Sequence, residues 1–126
     1  MQIFKTRWFA RFARNEGIAD KSLREAIERA DRGLIDADLG GGLIKQRVAR
    51  PGQGRSGGYR VIVAYRIRNR AVFLYGFAKS TRANINAKEL ATARNIASIW
   101  LAADKERISR GIREDEIQEV IDGEED

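Results

Sequence analysis

The sequence predicts an α+β fold, a small antiparallel β-sheet packed against an N-terminal helical hairpin and a C-terminal helix. Three observations carry this. Apolar residues recur at helical spacing through the first 34 residues. Three runs in the middle, 43–49, 59–67 and 71–78, are rich in Val, Ile, Phe and Tyr and are separated by turn-forming residues. An Ala-rich helical stretch then opens with a capping signal at Asn86 and Glu89.

In chain order, residues 1–6 suit a short opening strand with Ile3 as its core residue. A first helix is expected over 7–16, where Phe4, Trp8 and Phe12 fall at i, i+4 and i+8 and are read as core, with Arg7, Arg11 and Arg14 outside. Gly17 ends it, and Asp20 or Ser22 can cap the next, with Ser22 and Glu25 in capping-box spacing. Leu23, Ile27, Ala30 and Leu34 then form a buried stripe, and Gly33 is a helix stop. Gly40, Gly41 and Gly42 break the chain before the first sheet strand.

In that strand Ile44 and Val48 share one face and would meet the helices, which leaves Lys45 and Arg47 side by side on the other. Residues 50–58, RPGQGRSGG, read as a basic loop without the GxxxxGK[ST] pattern that cradles nucleotide phosphates. Residues 59–67 alternate cleanly, and Arg68, Asn69 and Arg70 turn the chain into an antiparallel return strand. One face of this sheet is expected to stay open to solvent and to be basic. The third helix presents Leu90, Ala93, Ala97 and Leu101, widened by Ile96 and Trp100. Past Gly111 either a short edge strand or one more helical turn fits, leading into an acidic tail of about 112–126 within a single 1–126 domain.

Charge separates by segment. Residues 1–40 hold eight bases and seven acids, 41–84 ten bases and no acid, and 85–126 six bases and eleven acids. A long basic block interleaved with Tyr and Phe points to a nucleic-acid partner. The last thirteen residues carry eight acids and no base, which suits a solvated tail or a phosphate mimic lying over the basic face. The absence of Cys excludes disulfides and thiolate chemistry; the absence of His removes the commonest metal ligand and the commonest acid/base residue. Lys, Arg, Tyr or carboxylates must then carry any chemistry, with no metal or cofactor. No apolar run reaches signal-peptide or membrane-helix length, so a cytoplasmic protein with no membrane partner is expected.

The runs LGGGLIKQR (39–47), RPGQGRSGGYR (50–60) and FLYGFAKSTRANI (73–85), in this order, resemble the RelE/HigB toxins of bacterial type II toxin-antitoxin systems. The motifs sit nearest the HigB-like branch. The resemblance extends over about 1–103 in element order and 39–90 in motif detail. It implies a microbial-ribonuclease-like fold that enters the ribosomal decoding site, cuts mRNA as a ribosome-dependent endoribonuclease (an mRNA interferase), and so inhibits translation. It also implies a cognate antitoxin encoded beside it, expected to be of helix-turn-helix type.

Family roles map residue by residue. Lys45 and Arg47 match the cation pair that serves as base and phosphate clamp. Arg60 matches the Arg of the Gly-Tyr-Arg motif that stabilises the charged phosphate, and Lys79 and Arg82 match the cations after the last strand. Where the family's best-known member has a stacking Tyr, this chain has Ile85 and Asn86; Phe77 or Tyr75 can take that platform's place. The resemblance thus gives Lys45, Arg47, Arg60 and Lys79 as catalytic, and Arg50, Arg55, Arg82 and Phe77 as RNA-binding. Metal-free cleavage needs a base for the 2′-hydroxyl, and without His a Lys crowded by other cations is the residue left for it. Two rival readings share the scaffold: a ParE-like toxin that inhibits gyrase without nuclease chemistry, and a non-catalytic RNA-binding module with steep salt dependence.

Overall fold

The computed structural model describes residues 1–50, 58–82 and 84–121. Arg55 and the acidic residues after Ile121 lie outside the described residues. The expected α+β class holds: six strands form one sheet in the order β2-β3-β4-β5-β1-β6, with four helices around it.

The first strand, β1 (Gln2–Thr6), runs into α1 (Arg7–Glu16), whose first turn is capped when Thr6 Oγ1 accepts from Phe9 N. Gly17, in the left-handed region at φ +72°, closes α1, and α2 (Asp20–Asp31) follows. Neither side chain of the expected cap works as one: α2 starts from Ala19, leaving Ser22 inside the helix. Asp20 instead accepts from Lys5 Nζ (2.7 Å) and Ile121 N (2.9 Å), tying α2 to both chain ends of the sheet.

Residues Ala37–Gly40 form an edge strand, β2, which the sequence reading did not foresee; it pairs antiparallel with β3 (Leu43–Val48). The three glycines therefore make a hairpin turn rather than a break, and φ is positive at all three, from +63° to +82°, which explains why no other residue type stands there. From β3 the sheet continues antiparallel through β4 (Tyr59–Arg66) and β5 (Arg70–Ala78). It then turns parallel at β1, so the opening strand lies inside the sheet. A capping box between Asn86 and Glu89 opens α3 (Ala87–Ala102) as the sequence indicated. After it come α4 (Lys105–Arg113), a helix the reading missed, and β6 (Ile117–Glu119), which pairs antiparallel with β1. The stretch from 114 to 121 is therefore not a solvated tail, for Ile117 and Val120 are buried.

The sheet is covered on both faces, which corrects the expectation of an open one. On one side Phe9, Ala13, Leu23, Ile27 and Ala30 bury Ile44, Val48, Val61, Val63 and Phe73. On the other Ala93, Ala97 and Trp100 bury Leu43, Ile62, Ala64, Val72 and Leu74. The reason is in the alternation itself: Arg60, Ile62, Ala64 and Arg66 share a face, and its apolar centre cannot be left in water when burial of each large side chain is worth about 1.5–3 kcal/mol. Small residues let α3 approach closely. Only the end of that face, beyond α3, is left for Arg60 and its neighbours.

Two stripe assignments shift for a related reason. Phe4 belongs to β1, so the helical phase of α1 is set by Phe9, Ala10 and Ala13, and Trp8 is 46% exposed instead of core. Likewise α2 ends at Asp31, three residues short of Leu34, which is 57% exposed.

Candidate functional site

The position of the basic side chains is fixed from beneath by Gln46. This residue is fully buried, and its amide donates to Ala26 O (2.9 Å) and Leu34 O (3.2 Å) while accepting from Asp36 N (2.9 Å). A buried amide so fully satisfied pins the register of β3, and the period of two turns Lys45 and Arg47 to the opposite face.

Across the sheet the pairing aligns two rows on that face. Arg47 stands opposite Arg60, and Arg60 opposite Phe77; Lys45 stands opposite Ile62, and Ile62 opposite Tyr75. An irregularity between Ile62 and Val63 brings Tyr75 onto this face beside Leu74. Arg60 is only 7% exposed, and its Nη1 has no hydrogen-bond partner among the described residues. Burial, then the charge of Arg47, hold its pKa below the usual guanidinium value, with Asp36 opposing them. A buried donor left unsatisfied costs about 1–3 kcal/mol, more when charged. Arg47 itself is half exposed, with Asp36 Oδ1 3.6 Å from its Nε, and Lys45 Nζ approaches Asn84 Oδ1 at 3.4 Å.

The other wall is a neutralised cluster. Arg82 Nη2 donates to the Tyr75 hydroxyl (2.6 Å) and to Glu89 (2.9 Å), and Tyr75 in turn donates to Glu89 (3.0 Å). The Arg82 guanidinium lies over the rings of Phe77 (4.9 Å) and Tyr75 (5.4 Å). Its hydrogen bond, followed by that from Asn86 N, holds the Glu89 carboxyl down at about 2. Burial and Glu89 push the Tyr75 hydroxyl upward, which keeps it a neutral donor.

The family model described as the RelE toxin of the RelE/RelB toxin-antitoxin system matches residues 1–120. The chain belongs to the RelE toxin family. It is a toxin of a toxin-antitoxin system, and its partner is an antitoxin. No curated protein matches it. No helix among the described residues is long and apolar enough to cross a membrane.

In this RelE-family toxin the structure gathers Lys45, Arg47, Arg60, Phe77 and Arg82 at one end of one sheet face. Lys79, exposed just past β5, joins that end, its backbone N–H donating to Gly58 O (3.1 Å). Arg50 does not share the face: its guanidinium lies 5.8 Å over the Tyr59 ring, which belongs to the side covered by α1 and α2. Phe77 is buried beneath Arg82, so it backs that cation rather than offering a bare ring. Arg66, Arg68 and Arg70 lie at the opposite end, where Arg70 caps α3 by donating to Trp100 O (2.8 Å) and Ala103 O (2.7 Å).

Sequence reasoning did not foresee the pairing of Glu89 with Arg82, the contact of Asn84 with Lys45 or the exposure of Trp8. For Glu89 a signal existed: it is the first acid after fifty residues without one, seven positions after Arg82. The acids from 114 to 119 do not lie over the cation rows, since β6 is at the far edge of the sheet, beyond β5 and β1.

Proposed function

We propose that this toxin is a metal-independent endoribonuclease that cuts mRNA on the ribosome and so halts translation. The observation that carries the reading is Arg60: a guanidinium nine-tenths buried, with an unsatisfied donor, between Arg47 and Phe77. A phosphate there would supply the missing acceptor.

Each step of the chemistry has a residue in reach. Lys45, with no carboxylate among the described residues hydrogen-bonded to its amine, accepts the proton of the 2′-hydroxyl as its oxygen attacks the adjacent phosphorus. Arg60 and Arg47 stabilise the extra charge on the phosphorane, the kind of interaction whose loss costs about 10²–10³ in rate. Lys79 gives a proton to the departing 5′-oxygen, leaving a 2′,3′-cyclic phosphate. A site so poor in acid/base groups gains from a substrate already held in shape, which favours cutting in the decoding centre over cutting free RNA. The cytoplasm follows as its place of action. The antitoxin is expected to carry a helix-turn-helix domain.

Induction of the wild type and of Lys45→Ala with Arg60→Ala in growing bacteria, followed by mapping of new mRNA 5′ ends, tests this. Growth arrest with cuts inside translated frames, absent in the double variant, is the expected result. Arrest with intact messages would move the assignment to a gyrase-type toxin, and no arrest to an RNA-binding module.

A further inference from the structure

Beside the cation rows lies a groove that the chemistry above does not use. It is an open groove of about 420 Å³ between the first turn of α1 and the N-terminal half of α3, with Trp8, Leu74, Tyr75, Ala93 and Ile96 among its walls. Trp8 stays 46% exposed although its ring rests on Tyr75 (4.6 Å between centroids) and Phe12 (5.6 Å). An exposed indole held by two other rings is a fixed, flat surface, since its rotamer is set before anything binds.

We propose that this groove is a nucleobase-stacking site, taking one base of the single-stranded RNA next to the phosphate bound at Arg60. The inference rests on the RNA-cutting reading and adds a contact to it. Three relationships favour a base over a protein side chain. The groove is continuous with the cation face: Tyr75 is its wall and also the hydroxyl on which Arg82 is docked, while Phe77, two residues on, pairs with Arg60. Tyr75 lies one strand spacing from β4, roughly 4.8 Å, and two residues, roughly 6.8 Å, along from the Arg60–Phe77 row, and Trp8 is a further 4.6 Å from Tyr75, so the groove opens within about two nucleotides of the buried guanidinium. The rim also suits a polyanion: Lys88 lines the groove, and the only carboxylate there among the described residues, Glu89, is already taken by Arg82 and Tyr75.

Stacking on an aromatic side chain is sequence-tolerant and worth about a 5- to 150-fold gain in affinity per base. The chain has two Trp, and Trp100 is only 6% exposed, so Trp8 dominates any quenching by a ligand in solution. The test is titration of wild-type toxin at low salt with hexa-adenylate and, separately, with an abasic sugar-phosphate hexamer of equal charge. Trp fluorescence and oligonucleotide anisotropy are read together. Hexa-adenylate should quench the emission and bind roughly 5- to 150-fold more tightly than the abasic chain. Trp8→Ala should remove that difference, and Trp8→Phe should keep most of it while losing the quench. Equal binding of the two hexamers by the wild type, which needs no variant to fold, overturns the proposal. So does emission that responds only to purified antitoxin, which would make the groove a protein-docking surface. Cleaved messages without base-dependent binding would sink this site and leave the nuclease reading standing; base-dependent binding without cleaved messages would do the reverse.

Discussion

Arg47 and Arg60 face one another directly across the β3–β4 pair, two like charges in positions where such pairs destabilise a sheet, with Asp36 the countercharge that acts on both. Nothing in the packing asks for this. The neighbouring row carries Ile62 between Lys45 and Tyr75, and an apolar residue at position 60 would suit the fold equally well. The arrangement stores electrostatic cost at the end of a well-made sheet, as sites that await an anion do.

Arg60→Met therefore separates stability from activity. Removing a buried guanidinium with an unpartnered Nη1 relieves a desolvation cost, and Met fills similar space with an adaptable side chain. The Tm of the variant should equal or exceed that of the wild type, while mRNA cleavage falls by about 10²–10³. Thermal unfolding and 5′-end mapping on the same preparation check it; a large drop in Tm would mean that Arg60 is a structural residue.

The cluster on the opposite wall predicts an acid-dependent loss of stability. Glu89 has a folded pKa of about 2 against 4.5 for the free carboxyl, chiefly through Arg82. The unfolded chain thus binds more protons between those values, so the contribution of Glu89 is complete above about pH 4.5 and fades as pH falls toward 2. In Glu89→Gln this component is missing. The Tm difference between wild type and variant, followed by circular dichroism, should be constant from pH 7 to about 4.5 and shrink below it; a constant difference down to pH 2 would refute the coupling.

How much of this was legible follows from where the signal is local. Alternation in 43–49 and 59–67 is local, and it placed Ile44 and Val48 inward and Lys45 and Arg47 on the opposite face correctly. The Asn86–Glu89 capping box is local too. What the alternation cannot say is whether a second helix layer covers the far face, because Ile62 and Ala64 read the same in an edge-exposed or a buried sheet. The error at Trp8 came from counting Phe4 into the helical stripe although the expected boundary between residues 6 and 7 holds, so a strand residue set the phase of the helix. The Arg82–Tyr75–Glu89 cluster joins three elements, and nothing in the linear spacing fixes such a meeting. Arg60 was legible as a charge and through its motif, but its burial is a tertiary fact.

The loop mouth depends on Gly58. A Cβ there would collide with the Val48 carbonyl and lie 2.7 Å from Arg50 N, both of them backbone and neither able to rotate away. Gly58→Ala should destabilise the toxin by about 1–3 kcal/mol, as overpacking does. The neighbouring Arg60 should be displaced with the strand. Urea denaturation measures the first effect and cleavage the second; a neutral substitution would show that the strands separate freely at this point.

The C-terminal strand is the clearest case of a segment whose composition misleads. Ile117 is fully buried on the α3 side although four acids surround it between 114 and 119, and its pairing with Thr6 places β6 at the edge of the sheet. Ile117→Ala should cost about 2–5 kcal/mol. Loss of activity should track loss of fold: the residual folded fraction, measured by near-ultraviolet circular dichroism, should cleave like the wild type.

The two ends of the sheet should differ in how they respond to salt. Lys45, Arg47 and Lys79 lie at the end that carries Arg60, whereas Arg66 and Arg68 lie at the other, next to the turn where Arg70 caps α3. For single strands each neutralised phosphate contributes about 0.7 to the slope of log K against log salt. Arg47→Gln and Lys79→Gln should each lower the slope for RNA binding by about that amount, while Arg66→Gln and Arg68→Gln leave it unchanged. Anisotropy titrations of a labelled oligoribonucleotide across a salt series decide between the ends. Equal losses at both would mean that the basic stretch binds RNA as a diffuse field, and that Arg60 is buried for some reason other than phosphate.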